Sequence, residues 1–396
     1  MATKFGTGFA SGEDSFKVGQ EAAKKAMVKI NDEKVDLSLV FASSKYNYEA
    51  VVKAVREVTG KAPLIGCSSA GEFSEENVGE GSVVCAVIKS DTHKFYTGAG
   101  KGLKGDEVGA MREACKKFPA VSEQYPYLSG ILLIDGLAGK GEEASLAALE
   151  VLGPNVKFSG GAAADDLKFK ETRVFTDDEV ATDAVSLAYV TSRVPMAIGV
   201  KHGHSPVSPA LTITKAKDNV LYEINGKPAF DVWKDHLRDF VKEEGIDVDK
   251  LKDASEIGTF LLRYELGLLT GEDYKVRVPL SINDDRSINF ACTIVEGSVI
   301  RIMSSPKESQ IASAKKAAEI ALNAARGRKI AGAIVFDCVC RGIILGADFQ
   351  KGVEAIKGVL GNVPLIGFET YGEIAMEIGQ LSGFHNTTSV VLLIPA

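Results

Sequence analysis

The chain is poor in the residues that mark several protein classes. Six cysteines and one tryptophan in 396 residues are too few cysteines for a disulfide scaffold. Lys and Arg are scattered with no basic run longer than a pair, and the formal net charge is −7. Neither nucleic acid nor an anionic membrane surface is therefore the expected partner. No apolar stretch is long enough to cross a bilayer, so no membrane insertion is expected. The N-terminal MATKFGTGFASGEDS lacks an apolar signal-peptide core, which points to a cytoplasmic location. Phosphate loops are missing as well. Gly98-Ala99-Gly100-Lys101-Gly102-Leu103 breaks the dinucleotide pattern at Leu103, and no G-x-x-x-x-G-K-[ST] occurs; nucleotide binding is unsupported.

What the chain does have is a repeated string. Pro63-Leu64-Ile65-Gly66-Cys67-Ser68-Ser69-Ala70-Gly71-Glu72 is matched by Pro364-Leu365-Ile366-Gly367-Phe368-Glu369-Thr370-Tyr371-Gly372-Glu373. Each runs from a short apolar strand into a polar turn with a hydroxyl and a carboxylate. An apolar strand (Leu39 to Ser43; Ile334 to Cys338) and an amphipathic helix ending near a glycine (Gly60; Gly361) precede each copy, and another strand follows (Val83 to Ile88; Ser389 to Ile394). A weaker third copy lies between them. It comprises Ile131 to Asp135, a helix through Ala144, Ala147 and Val151, then Phe158-Ser159-Gly160-Gly161, then Val185 to Val190. The unit is strand, helix, strand, polar turn, strand. The expected fold is α/β: two domains of repeated strand–helix–strand–strand units forming mixed sheets with helices packed outside.

Between the second and last copies the pattern changes to hairpins, with Asn225-Gly226 as the strongest turn signal. The charged, apolar-poor segment Glu243 to Lys250 follows a helix over Phe230 to Lys242. A domain division there gives residues 1–245 and 246–396. Strands over Tyr274 to Leu280, Ser287 to Ile294 and Ser298 to Met303 then form a meander. Ser305-Pro306-Lys307-Glu308 opens a long helix that stops at Gly327.

The ordered set LIGCSSAGE, YEINGKPAF, DYKVRVPL, FDCVCRG, PLIGFETYGE and FHNTT resembles the FIST family over almost the whole chain, with a FIST N domain followed by a FIST C domain. The resemblance implies a sensory protein that binds a small ligand, with amino acids as the usual proposal. It also implies, for some members, haem and a response to nitric oxide. Sensory FIST proteins often carry or partner an output domain. Since this sequence stops at Ala396 just after its last strand, the expected output lies in a separate signalling protein.

The residues offered for ligand contact come from the turns and from strand ends. Gly66 and Gly71 bracket Cys67, Ser68 and Ser69, so backbone N–H groups and hydroxyls can face a ligand carboxylate. Glu72, Glu369 and Glu373 can receive an ammonium or hydrogen-bond a neighbouring backbone, and Thr370 stands beside them. Arg277 on its strand is suited to clamp a carboxylate with two parallel bonds or to sit in an ion pair. Cys338 and Arg341 follow a strand, where α/β sheets place ligands. The Cys338-Val339-Cys340 pair lacks a second Cys or His cluster and is a weak metal signal. His385 and Asn386 precede the last strand, and His385 is the first candidate were haem bound. The expected function is sensing or binding of an amino acid or small carboxylate without turnover, with no catalytic residue, no metal and no required cofactor. A haem-based nitric-oxide sensor is one alternative. An enzyme using Cys67 as nucleophile is the other, and it lacks a histidine in a catalytic signature with that thiol.

Overall fold

The computed structural model describes residues 3–242, 245–251, 254–271, 273–380 and 383–396; Glu243 and Glu244 of the charged segment lie outside them. Three six-stranded sheets form the body of the molecule, and they share one plan. The first unit contributes β1 (Thr3–Ser11), β2 (Leu37–Ser43), β3 (Leu64–Ser69), β4 (Glu72–Ser74), β5 (Val78–Gly79) and β6 (Ser82–Ser90). The second contributes β7 (His93–Lys101), β8 (Tyr127–Ile134), β9 (Val156–Ala162), β10 (Val174–Thr176), β11 (Glu179–Ala181) and β12 (Ala184–Ser192).

The third unit is interrupted. After β13 (Ala197–His202) comes an inserted, antiparallel nine-stranded sheet. Its strands are β14 (Ser205–Pro206), β15 (Leu211–Lys217), β16 (Val220–Ile224), β17 (Lys227–Pro228), β18 (Tyr264–Thr270), β19 (Asp273–Arg277), β20 (Pro279–Ile282), β21 (Ile288–Phe290) and β22 (Val299–Ser304). Helices α5 (Ala229–Lys242) and α6 (Ala254–Arg263) belong to this insertion, and the division at 245/246 falls between them. The unit resumes with β23 (Ile330–Cys338), β24 (Leu365–Thr370), β25 (Glu373–Met376), β26 (Phe384–His385) and β27 (Thr388–Pro395).

The sheet orders are β1-β6-β2-β3-β10-β11, then β7-β12-β8-β9-β25-β26, then β13-β27-β23-β24-β4-β5. Each unit therefore builds four strands of its own sheet and sends the hairpin after its polar turn into another unit's sheet. The first hairpin joins the third sheet, the second joins the first, and the third joins the second. The exchange is cyclic and the three sheets close into a ring.

Register explains the glycine in each string. Gly66, Gly160 and Gly367 face Val40, Leu132 and Val335 across parallel strand pairs. A Cβ at Gly66 or Gly160 would meet the carbonyl oxygen of Val40 or Leu132 at 2.1 or 1.8 Å, and at Gly367 the Phe73 ring at 2.2 Å. Only glycine admits so close an approach.

Helices cover the outer faces in pairs: α1 (Ser15–Lys29) with α2 (Tyr48–Val58), α3 (Glu107–Cys115) with α4 (Gly141–Leu152), and α7 (Lys307–Ala324) with α9 (Phe349–Leu360). Alanine-rich inner faces let α1 and α7 lie close against the strands, with Ala22, Ala23 and Ala26 buried on one and Ala314, Ala317, Ala318 and Ala321 on the other. The inner faces of all three sheets share a core that includes Phe41, Cys67, Ile131, Ala163, Phe336 and Phe368. The rings of Phe41 and Phe368 stand 4.3 Å apart, so the first and last units meet directly on the axis. A separate core around Trp233, Tyr264 and Phe290 holds the inserted sheet to α5 and α6.

Candidate functional site

The carboxyl ends of β2, β8 and β23 and the three polar turns gather at one end of the ring. Equivalent backbone bonds lock the turns together. Ala70 N donates to Glu369 O at 3.2 Å, Ala164 N to Ser68 O at 2.9 Å, and Tyr371 N to Ala162 O at 3.1 Å. Ala70, Ala164 and Tyr371 form a small apolar cluster together with Val339. Above this end lies the inserted sheet, and between the two is a cleft of about 540 Å³.

The ring side of the cleft is made by Gly136, Leu137, Cys338, Cys340, Tyr371 and Asn386; the inserted side by Asn219, Leu262, Val278, Pro279, Leu280 and Phe290. None of the described lining residues carries a charge. Four large apolar side chains at its rim remain open to solvent: Leu167 at 41%, Phe169 at 61%, Leu280 at 52% and Ile343 at 43% exposed. That exposure marks a surface suited to an apolar occupant.

The rim loop holding Leu167 and Phe169 is tied from within. Asp165 accepts from the N–H groups of Phe169 (2.9 Å), Lys170 (2.7 Å) and Glu171 (3.0 Å) and from the Tyr371 phenol (2.5 Å). Burial opposes ionisation of Asp165, but these bonds outweigh it and hold its carboxyl below the usual range. Burial, with Asp165 as acceptor, pushes the Tyr371 phenol up. Asp166, Leu167 and Phe169 all take positive φ (53°, 59° and 50°), a conformation that costs energy in non-glycine residues. Asp166 in turn accepts from Ser43 Oγ (2.9 Å) and Ser44 N (2.8 Å). The Phe169 ring stacks on Tyr371 with centroids 5.0 Å apart. The loop thereby couples all three units.

Cys338 and Asn386 line the cleft. Glu369 lines an adjoining crevice of about 330 Å³, which shares Leu167, Val339 and Ile343 with the cleft and also contains Glu80. The Glu369 side chain occupies a slot between two glycines: an added Cβ would stand 2.6 Å from it at Gly71 and 2.0 Å at Gly342. Burial, then the negative Asp337, Glu80 and Glu72, pushes its carboxyl well up.

The other turn residues lie in the walls beneath. Glu72 is buried and accepts from the Ser69 hydroxyl and from both the N–H and hydroxyl of Ser82. Glu373 accepts from the Thr370 hydroxyl (2.5 Å) and from Thr388 N (3.0 Å) and Oγ1 (2.6 Å). Burial outweighs these bonds and pushes both carboxyls up to about 8. The fully buried Ser68 hydroxyl accepts from Arg173 N at 2.9 Å. Cys67 sits in the shared core opposite Phe41 and Val174, where burial pushes its thiol well up.

Arg277 and Arg341 are both buried and partnered. Arg277 donates to the Phe384 carbonyl at 3.2 Å and to Glu142 of α4 at 3.1 Å, joining the inserted sheet to the second unit. Arg341, on α8 (Val339–Leu345), donates to Asp337 (2.7 Å), Ser313 Oγ (2.8 Å) and the Gln310 carbonyl (3.1 Å). Neither lines the cleft. His385 places Nε2 3.0 Å from the Ala375 carbonyl, and burial pushes its imidazole down to about 3. A haem in this cleft would find the apolar wall it requires but no histidine among the lining residues; the site does not fit a histidine-ligated haem.

Asp165, Phe169 and the inserted-sheet wall are not among the site residues the sequence offered. The signal for the first lay in the weak middle copy, where Ala162-Ala163-Ala164-Asp165 continues from Gly160-Gly161 and registers on the other two turns. Val278 lies in the string DYKVRVPL, where Arg277 drew the attention; Asn219 and Phe290 carried no comparable signal.

A sequence profile of the FIST N domain matches residues 36–227 and one of the FIST C domain matches residues 229–376. An uncharacterized protein of Methanocaldococcus jannaschii is 25% identical over 82% of this chain and 66% of its own length. The chain thus spans just under two thirds of that relative. Uncharacterized proteins of Mycobacterium bovis and Mycobacterium tuberculosis are each 26% identical over 99% of both chains. Among solved structures, one cyanuric acid hydrolase aligns over 100% of both chains at TM-score 0.34 and 7% identity, and that of A. caulinodans over 99% of both at 0.33 and 8%. Scores this low carry no argument about fold or activity. Among the described residues, no helix is long and apolar enough to cross a membrane.

Proposed function

Since the chain belongs to the FIST family, whose domains are associated with sensory signal transduction, we propose that it is a receptor module that holds a small ligand in this cleft without turning it over. The observation that carries the reading is the uncharged cleft of about 540 Å³ between the ring end and the inserted sheet. Its size suits a small organic molecule. Its described lining offers apolar side chains, two thiols, two asparagines and a tyrosine, with no charged base or acid among them to drive a reaction. The wall is assembled from distant parts of the chain, so occupancy would change how the inserted sheet sits on the ring. That shift is the signal a separate output protein would read.

Within this class the ligand we favour is an amino acid with an apolar side chain. The side chain suits the cleft, and Glu369 in the adjoining crevice would ionise against the ligand ammonium, which offsets the burial and the negative neighbours that otherwise push its carboxyl up. A small carboxylate without an amine would have only asparagine amides and backbone N–H groups along the cleft. Isothermal titration against a panel of apolar, polar and acidic amino acids and small carboxylates tests the reading. Saturable binding of apolar amino acids, weakened by Glu369→Gln and by Leu280→Asp, supports it. Equal heats for all compounds, or binding indifferent to both changes, overturns it.

A further inference from the structure

We propose that Cys338 and Cys340 form a two-thiol site that captures trivalent arsenic at the ring end of the cleft. Both cysteines line that cavity. Cys338 ends β23 as the N-cap residue of α8, and Cys340 follows in the first turn, so both lie at one edge of the opening. Cys340 is half-buried while Cys338 is buried, which makes Cys340 the first thiol an entering ligand meets. The two flank Val339 at the start of α8, and all three residues line the same cavity.

The chemistry of the lining selects the ligand. Soft ions such as Cu⁺ bind two thiolates with release of two protons, leaving an anionic centre. Among the described residues no cation lines this cleft to compensate it, and an uncompensated buried charge is costly. Trivalent arsenic avoids that cost. With an arsenoxide, two As–S bonds form, the As=O bond breaks, and the oxygen leaves as water with both thiol protons. Arsenic stays trivalent and the product is neutral. Burial pushes the Cys338 thiol well up, a liability for a nucleophile or a metal site but no obstacle to this condensation, which consumes the thiol proton.

The other cysteines provide internal controls. Cys292 approaches the same region but is tied to Asn386 Oδ1 at 3.6 Å. Cys67 and Cys85 are buried in apolar cores, and Cys115 belongs to the α3 cluster of the second unit.

Phenylarsine oxide on the full chain is the test, read by intact mass and then by peptide mapping. One equivalent is expected to add to the wild type, to survive excess glutathione and to be released by dithiothreitol. Trypsin cuts after Lys329 and Arg341, so both thiols fall in Ile330–Arg341, which contains no other cysteine. Wild-type mapping should show both thiols of that peptide shielded from alkylation, an outcome that requires no variant to fold. Cys338→Ser and Cys340→Ser should each loosen capture by about a hundredfold or more, the gain a second tethered contact brings. Cys115→Ser and Cys292→Ser should leave capture unchanged. An adduct on another peptide, or one that glutathione strips, overturns the proposal. So does undiminished capture by a folded Cys338→Ser or Cys340→Ser protein. None of these results depends on whether amino acids bind.

Discussion

The carboxylates of Glu72 and Glu373 make the same three hydrogen bonds in two different units. Each accepts from the hydroxyl three residues before it, Ser69 or Thr370, and from the N–H and hydroxyl of a residue on the next long strand, Ser82 or Thr388. The carboxylate fastens the polar turn to the strand beyond it, which gives this glutamate a structural role in both copies.

That role has a pH signature. Both carboxyls are pushed from an ordinary 4.5 up to about 8 by burial. A pKa raised by folding contributes stability that is fully present below the unfolded value and lost as pH rises through the folded one. The melting temperature is therefore expected to fall between about pH 4.5 and 8 on account of these two groups. Glu72→Gln and Glu373→Gln should each flatten that fall. Calorimetry across this range checks it, and an unchanged slope in both variants would remove the assignment.

Tyr371→Phe deletes the phenol that reaches Asp165 at 2.5 Å. The three backbone donors of the rim loop remain, so the fold should persist with a loss of about 1.5–3 kcal/mol, typical of a hydrogen bond to a charged group. Hydrogen exchange at Phe169, Lys170 and Glu171 should speed up, and cleft ligands should bind more weakly. Unaltered exchange there would mean that Tyr371 does not hold the loop.

Arg277→Ala should destabilise the protein by about 1–3 kcal/mol, less than a fully buried pair because the Glu142 side chain retains 20% exposure. Arg277→Lys should recover part of this, since an ammonium cannot reach both Glu142 and the Phe384 carbonyl with a planar fork. Denaturant unfolding gives the stabilities and titration gives the affinities. Loss of ligand binding with stability intact would instead place Arg277 at the ligand.

Cys67→Ser should cost about 1–3 kcal/mol, because a hydroxyl enters the core beside Phe41 and Phe368 without an assured partner. Ligand affinity should be unchanged, and maleimide should reach Cys67 in the wild type only after unfolding. Rapid labelling of Cys67 in the native protein would reopen the nucleophile reading.

The repeated strings made the outer two units legible. Their strands, helices and turns follow from apolar periodicity and from one glycine that the parallel pair Val40–Gly66 or Val335–Gly367 demands. The middle unit was readable only faintly, because Ala162-Ala163-Ala164 carries neither hydroxyl nor carboxylate where the others have Ser68-Ser69 and Glu369-Thr370. The strand exchange was invisible: pairs such as Phe368 with Glu72 and Gly161 with Glu373 lie hundreds of residues apart or join different copies, and local pattern does not encode them. The site was half-read for a related reason. Polar residues drew attention, yet Glu72, Glu373, Arg277 and Arg341 spend their polarity on neighbours, while the cleft is walled by residues such as Leu137, Val278 and Phe290 that look like ordinary core.

The cyclic exchange of β4, β10 and β25 makes no unit self-sufficient. A chain holding one unit would expose the edge of its own central strands and carry a hairpin with no sheet to join. Three such chains would satisfy every one of those bonds by passing hairpins head to tail, and the rotation closes at the third copy, as a cyclic trimer requires. Within this single polypeptide the three units exchange hairpins as the subunits of such a trimer would. The units differ where the inserted sheet interrupts one and where another has Ala162 and Ala163 in place of turn hydroxyls, and the cleft lies between the ring and that inserted sheet.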